Sequence, residues 1–281
     1  MRSEDRLAHP VTPGRIALHL FLAAGALASV FPLLWQLSTS LKTLRESRTQ
    51  PPQLLPESFA WENYLQVFET VPFGRQFLNT VVVAVLVTIG QIVVCSLAAY
   101  SFARIRFPGR ETLFWVVLAL LMIPSQLFIL PRFQIMQSIG WLNSLQALIA
   151  PAIFSVFGTF LLRQFFRSLP LELEEAAKLD GAGSLRIFWS IMLPLARPGL
   201  VSLSVLSLVA VWNELLWALV VNTSPTMMPL AAGLSSFQGQ HGTDYPALMA
   251  GSLMAALPLL LVFFLLQKQF IEGIAFSGTK G

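Results

Sequence analysis

Six stretches of the chain, 16–41, 76–103, 112–131, 133–162, 198–213 and 245–267, contain no Asp, Glu, Lys or Arg. About 20 apolar residues are enough for a helix to cross a hydrocarbon core roughly 30 Å thick. In lipid the backbone must satisfy its own hydrogen bonds, so runs of this kind fold as helices. The fifth stretch meets Glu214 and then continues apolar through Val221. The expected fold class is therefore all-α, a polytopic membrane protein with six transmembrane helices. The composition agrees: 55% apolar and 11% charged residues, with a mean hydropathy of +0.69, lie outside the range of soluble domains. Ala26-Leu27-Ala28 fits a signal cleavage pattern, but the apolar run continues to Leu37. That is too far for a signal core, and an uncleaved span is expected.

Basic residues near span ends are retained on the cytoplasmic side. They concentrate in the N-terminal tail (Arg2, Arg6, Arg15), the second connection (Arg104, Arg106, Arg110), the fourth (Arg163, Arg167, Lys178, Arg186, Arg197) and the C-terminal tail (Lys268, Lys280). The opposite connections carry fewer, namely Lys42, Arg45, Arg48, Arg75 and Arg132, and 222–246 carries none. Both termini should be cytoplasmic. The net charge of +4 then needs no nucleic acid, since a positive inner face beside anionic lipid accounts for it.

The connection 42–73, with the run TQPPQLLPESFAWENY, is expected outside the membrane as an ordered loop with little regular structure, with Trp61 and Tyr64 at the lipid interface. Pro32, Pro124, Pro151 and Pro258 fall inside spans, where each frees a carbonyl; they imply kinked helices packed around an interior. Ala98, Ala99, Gly251 and Ala255 permit close helix contact. Cys95 reads as a small packing residue, and no Cys/His cluster suggests a metal.

The polar stretch ELEEAAKLDGAGSLRIFWSIMLP interrupts the spans. Pro170 suits a first helical position, and Glu172, Glu174 and Glu175 crowd the positive end of a helix dipole. Glu174 and Lys178 are four apart in the favourable order, and Gly181 can take the left-handed conformation that stops a helix. Ser184 is placed to cap a second helix with an apolar stripe of Leu185, Phe188 and Ile191. Ala176 and Ala177 give the first helix a face without bulk. A two-turn helix is marginal alone in water. Something must hold it, either a partner or the cytoplasmic ends of its own bundle.

Glu175-Ala176-Ala177, three residues, Gly181, nine residues, Ile191, one residue, Leu193-Pro194 resembles the EAA signature of permease subunits of bacterial ATP-binding cassette (ABC) importers. LLPESFAWENY, WNELLWALVV, MMPLAAGLSSF, PALMAGSLMAALP and the ending GIAFSGTKG are similar to carbohydrate-importing permeases of the maltose type, although Phe276 and Ser277 stand where small residues are usual. The resemblance implies a type I importer fold with a permease core at 73–275. An N-terminal tail, first span and outer loop occupy 1–72, the coupling hairpin 168–194 and a cytoplasmic tail 276–281. It also implies a bacterial inner-membrane location and that Glu175, Ala176, Ala177, Gly181, Ile191, Leu193 and Pro194 dock a cytoplasmic ATPase. The implied partners are two copies of that ATPase, a second homologous permease, an external solute-binding protein and a sugar substrate.

Glu214 is the one acid inside a span. A charge there costs at least about 2.5 kcal/mol unless paired, protonated or facing water, so it should face the interior or a polar cavity. With Asn213, Trp212 and Trp217 it forms a candidate substrate path or gate; the alternative is a helix-to-helix hydrogen bond. Gln91, Asn79 and His19 read as interhelical or helix-end residues. No GxxxxGK[ST] loop is present, so the chain is expected not to be an enzyme and to carry no cofactor, ATP and Mg²⁺ belonging to the partner ATPase. An oligosaccharide is the expected substrate, with a polyol or glycerol phosphate as alternative. A self-sufficient ion-coupled transporter using Glu214 leaves the hairpin unexplained. An intramembrane enzyme lacks a paired acid, an HExxH helix or a GxSxG elbow.

Overall fold

The structure is a computed structural model that describes residues 13–239 and 242–278. Arg2, Arg6, Lys280 and the ending 279–281 lie outside the described residues, as do the side chains of Arg15, Lys268, Phe276 and Ser277. The helices are α1 (Pro13–Ser40), α2 (Glu62–Thr70), α3 (Phe73–Arg104), α4 (Arg110–Ala119), α5 (Ile129–Ser138), α6 (Leu145–Ile149), α7 (Val156–Ser168), α8 (Glu172–Leu179), α9 (Ser184–Ile187), α10 (Leu193–Leu195), α11 (Arg197–Trp212), α12 (Leu216–Val221), α13 (Leu230–Leu234) and α14 (Tyr245–Gly278). A two-stranded ribbon, β1 (Gln238–Gly239) and β2 (Gly242–Thr243), precedes α14.

Among the described residues three helices, α1, α3 and α14, are long and apolar enough to span a membrane unbroken, and three bent helix pairs raise the number to as many as six. The first, second and sixth apolar stretches are thus continuous helices. The third is not. It breaks between Met122 and Ser125 with a 97° bend, where Pro124, extended at ψ 127°, cannot continue a helix. The fourth span begins later than the uncharged run: α5 ends at Ser138, and a turn with left-handed Gly140 (φ 70°) and Asn143 (φ 57°) separates it from α6. The span proper is Leu145–Ala152 plus Val156–Ser168, bent by 40° at Pro151 and capped again by Ser155, whose hydroxyl accepts from the Gly158 N–H.

Contacts divide the chain into two compact units, Met1–Val67 with Gly239–Leu253, and Phe68–Gln238 with Met254–Gly281. In the first, no residue of α1's most apolar window is buried, and Pro32 is exposed there; Pro124, in the second unit, is exposed too. The expectation that these prolines face an interior is therefore not met within this chain. The connection 42–73 has more regular structure than expected. Asn63, on α2, donates to the carbonyls of Ser40 (2.9 Å) and Lys42 (2.8 Å), and Tyr64 shares a hydrogen bond with Ser40 (2.9 Å). Trp61 remains exposed. Its ring stacks on Phe59.

In the second unit α3 packs chiefly against α7 and α11. Small residues allow the crossing: a Cβ on Gly158 would sit 2.7 Å from Leu203 and 3.4 Å from Cys95. Cys95 is buried and bonds the Ser155 backbone. Near the start of α3, Gln76 and Asn79 donate to the carbonyls of Pro225, Thr226 and Met228, and the Thr80 hydroxyl accepts from Leu230 N–H. Together they hold the connection that leads to α13.

Candidate coupling hairpin and intramembrane cavity

The polar insertion folds as a hairpin of α8 and α9. Acidic residues fill the first turn of α8. Its end is a left-handed Gly181 (φ 79°), with Gly181 N–H bonded to Lys178 O (3.0 Å) and Ala182 N–H to Ala177 O (2.9 Å), the reverse-turn closure that satisfies orphan carbonyls. Three local expectations need correction. Pro170 lies two residues before α8, whose cap position is Leu171. Gly183, not Ser184, stands at the cap of α9, and no side chain caps it. The buried stripe is Ile187, Phe188 and Met192, while Leu185 is 69% exposed. The reason is the wide π turn over Phe188–Met192, which shifts the inward face away from a three-residue spacing.

Ala176 and Ala177 also separate, as adjacent helix positions must. Ala176 is exposed, whereas Ala177 packs against the core of Tyr100, Phe166, Ile187 and Phe188. Glu175 and Gly181 are exposed beside Ala176. Ile191 and Leu193 are half-buried, and Pro194 is exposed. Leu179 at the tip is 89% exposed, more than the other exposed leucines of the hairpin, Leu171, Leu173 and Leu185.

Two arginines read from sequence only as orientation signals turn out to be structural. The Arg104 side chain, 5% exposed, lies 3.1 Å from Glu174 (3% exposed), and it donates to the carbonyls of Phe166 (3.0 and 2.6 Å) and Leu169 (2.5 Å). Lys178, one turn on, stands 3.8 Å from the other Glu174 oxygen. Arg163 forks onto Glu111 at 2.9 and 2.8 Å, donates to Phe102 O and lies 3.8 Å from the Phe114 ring centre. Such bonds join residues far apart in the chain to backbone carbonyls, and no periodicity announces them.

At the other end of α11 the chain turns through 213–215 before α12 begins. Glu214 caps that restart, accepting from Trp217 N–H at 3.0 Å. A cavity of about 410 Å³ opens here, lined by Thr80, Gln91, Ser125, Arg132, Glu214 and Trp217 among others. Arg132, assigned from sequence to an outer connection, lies over the Trp217 ring at 5.2 Å. The proposed quartet does not stay together. Glu214 and Trp217 line the cavity, while Trp212 and Asn213 are not among its lining. Trp212 is buried and donates to Ala255 O (3.0 Å); Asn213 is exposed and donates to Val209 O (2.8 Å). Trp217 is held as well, 5% exposed and bonded to Ala147 O (2.9 Å), with Arg132 over its ring. Gln91 bonds Ala152 O (2.8 Å) across the kink.

The sequence matches the family described as "Binding-protein-dependent transport system inner membrane component" over residues 91–271. It is 35% identical to the sn-glycerol-3-phosphate transport system permease protein UgpE of Pectobacterium atrosepticum, covering 92% of this chain and 95% of that one. It is 34% identical to the arabinooligosaccharides transport system permease protein AraQ of Halalkalibacterium halodurans (91% and 93%). With the diacetylchitobiose uptake system permease protein NgcG of Streptomyces coelicolor it shares 35% (93% and 87%). Among solved structures it superposes on a chain of a bacterial ABC transporter involved in import of the acidic polysaccharide alginate, with TM-score 0.79 at 23% identity over 91% of this chain and 95% of that one. On a chain of the MetNI methionine ABC transporter the TM-score is 0.59 at 17% identity, over 74% and 98%. The fold is that of a type I ABC importer permease, and the chain belongs to the family of inner-membrane permease components of binding-protein-dependent transport systems.

Proposed function

We propose that this permease imports a neutral oligosaccharide, working with a second homologous permease, two copies of a cytoplasmic ATPase and an external solute-binding protein. The ATPase docks on the exposed side of the hairpin, formed by Glu175, Ala176, Leu179 and Gly181, and ATP and Mg²⁺ are bound by that partner. Both termini are cytoplasmic, on the side of the hairpin. The observation that carries the coupling reading is a sharply stopped hairpin with a solvent-facing tip and an inner face fixed to the bundle core. A short helix that is marginal alone becomes a rigid handle when one face is anchored this way.

The substrate class rests on the cavity. Its wall offers donors from Arg132 and acceptors from Glu214 and Gln91, a mixture suited to hydroxyl groups, which donate and accept. Glu214 repels a phosphate and Arg132 on the same wall attracts one, so the preference for an oligosaccharide over glycerol phosphate rests on the hydrogen-bonding wall and on the sugar permeases among the relatives. The test is reconstitution of the four components in proteoliposomes with a panel of labelled sugars and glycerol phosphate. ATP-dependent uptake of a neutral oligosaccharide is expected. Uptake by this chain alone, abolished by collapsing an ion gradient, would instead establish a secondary transporter.

A further inference from the structure

We infer that Arg104 and Glu174 form the joint through which movement of the hairpin is delivered to α3, so that both are positioning residues for transport although neither reaches ATPase or substrate. This rests on the coupling reading above. Two of the hairpin's contacts with the bundle differ in kind. One is apolar: Ile187, Phe188 and Met192 are fully buried against Tyr100, Leu162 and Phe166. An apolar contact resists separation but is poorly directional, since the hydrophobic effect has no preferred angle. The other contact is the charge pair at the end of α3.

Arg104 is the last residue of α3. Its guanidinium binds two carbonyls at the exit of α7, Phe166 and Leu169, and lies 3.1 Å from Glu174 in the first turn of α8. Three elements that must move together, α3, the end of α7 and the hairpin, thus meet at one planar, multiply bonded group. Glu174 is the one buried residue of α8, and the residues around it, Leu173 and Glu175, are exposed. A docking helix has no need to bury an acid beside an arginine for its own stability, because a buried pair rarely repays its desolvation. It does give a fixed registry. The same α3 carries Thr80 and Gln91 on the cavity wall, so a displacement at Arg104 is conveyed along one continuous helix to the cavity.

The Glu174 oxygen facing Arg104 accepts no hydrogen bond; the contact is one of charge. Glu174→Gln therefore removes the charge at nearly constant shape. In the purified, reconstituted importer, Glu174→Gln should retain ATP hydrolysis and retain crosslinking of the ATPase from a cysteine at Leu179. Uptake per ATP hydrolysed should fall about tenfold, in line with a coupling energy between sites. Arg104→Lys, which keeps charge but loses the fork, should couple better than Arg104→Gln. An unchanged uptake-to-hydrolysis ratio in Glu174→Gln overturns the inference. So does failure of Glu174→Gln to assemble, which assigns the pair to folding and not to transmission. Absence of the Leu179 crosslink in the otherwise wild-type importer is a different failure, that of the docking reading itself.

Discussion

The two ends of α11 handle charge in opposite ways. Beyond its N-terminal end, in the hairpin, Glu174 is buried and faces Arg104, which is itself tied to two carbonyls, and a cluster of fully buried side chains surrounds Phe188. Beyond its C-terminal end, Glu214 has one bond to the backbone of α12, and Arg132 rests on an indole with open space before it. The difference separates a part built to hold its shape from a part that keeps hydrogen-bonding capacity for something else. A device that converts a push at one face into a change at a cavity needs both: a stiff handle, and a break in the span where the chain can rearrange at low cost.

The contrast predicts unequal mutational costs. Arg104→Ala should have the largest effect, because it leaves Glu174 buried with only Lys178 nearby and strips donors from two carbonyls. Breaking a buried pair costs about 3–5 kcal/mol, which thermal denaturation of the purified protein would report as a steep loss of folded material. Phe188→Ala should cost a similar or slightly smaller amount, about 3–5 kcal/mol for a large buried ring. If either change is tolerated as easily as a surface substitution, the hairpin is not the rigid end. Gly181→Ala meets no neighbouring atom within 4 Å, so its cost is confined to the left-handed backbone, about 1 kcal/mol. It should lower coupled uptake more than stability.

Glu214→Gln belongs to the opposite end of the scale. The amide oxygen can still accept from Trp217 N–H, so stability should fall by no more than about 1 kcal/mol, while sugar uptake changes. A loss of stability as large as that of Arg104→Ala would erase the contrast. The smallest effect is expected in the connection 42–73, where Thr43 N–H and hydroxyl and the N–H groups of Glu57 and Ser58 hold the Glu46 carboxyl below its ordinary value. A depressed folded pKa stabilises at pH above the unfolded value of about 4.5, and the contribution is lost as pH falls through the folded value. Protease protection of residues 42–61 should therefore weaken in acid, and Glu46→Gln should abolish that dependence.

Much of this architecture is legible in the residues themselves. Uncharged length marks α1, α3 and α14, and Gly181 and the acidic first turn mark α8, because these signals are local. What fails is whatever depends on distant partners or on a break. Counting uncharged residues passes through Pro124 and through the Gly140–Asn143 turn; the two left-handed residues and the capping Ser144 were the available signal for the second. Arg104 and Arg163 look like ordinary inner-face residues, because their carbonyl and carboxylate partners lie about 50 to 70 positions away. Ala177 looks equivalent to Ala176 until the core is assembled around it. Of the tryptophans near Glu214, Trp217 lines the cavity and Trp212 does not, a division that depends on how the distant helices pack.

Placing a photocrosslinker at Leu179, the most exposed apolar residue of the hairpin, in the assembled importer tests the central claim most directly. Coupling through the hairpin predicts capture of the ATPase subunit with a yield that changes between nucleotide-free and ATP-bound states. No capture in any nucleotide state, with ATP-driven uptake intact, would contradict it.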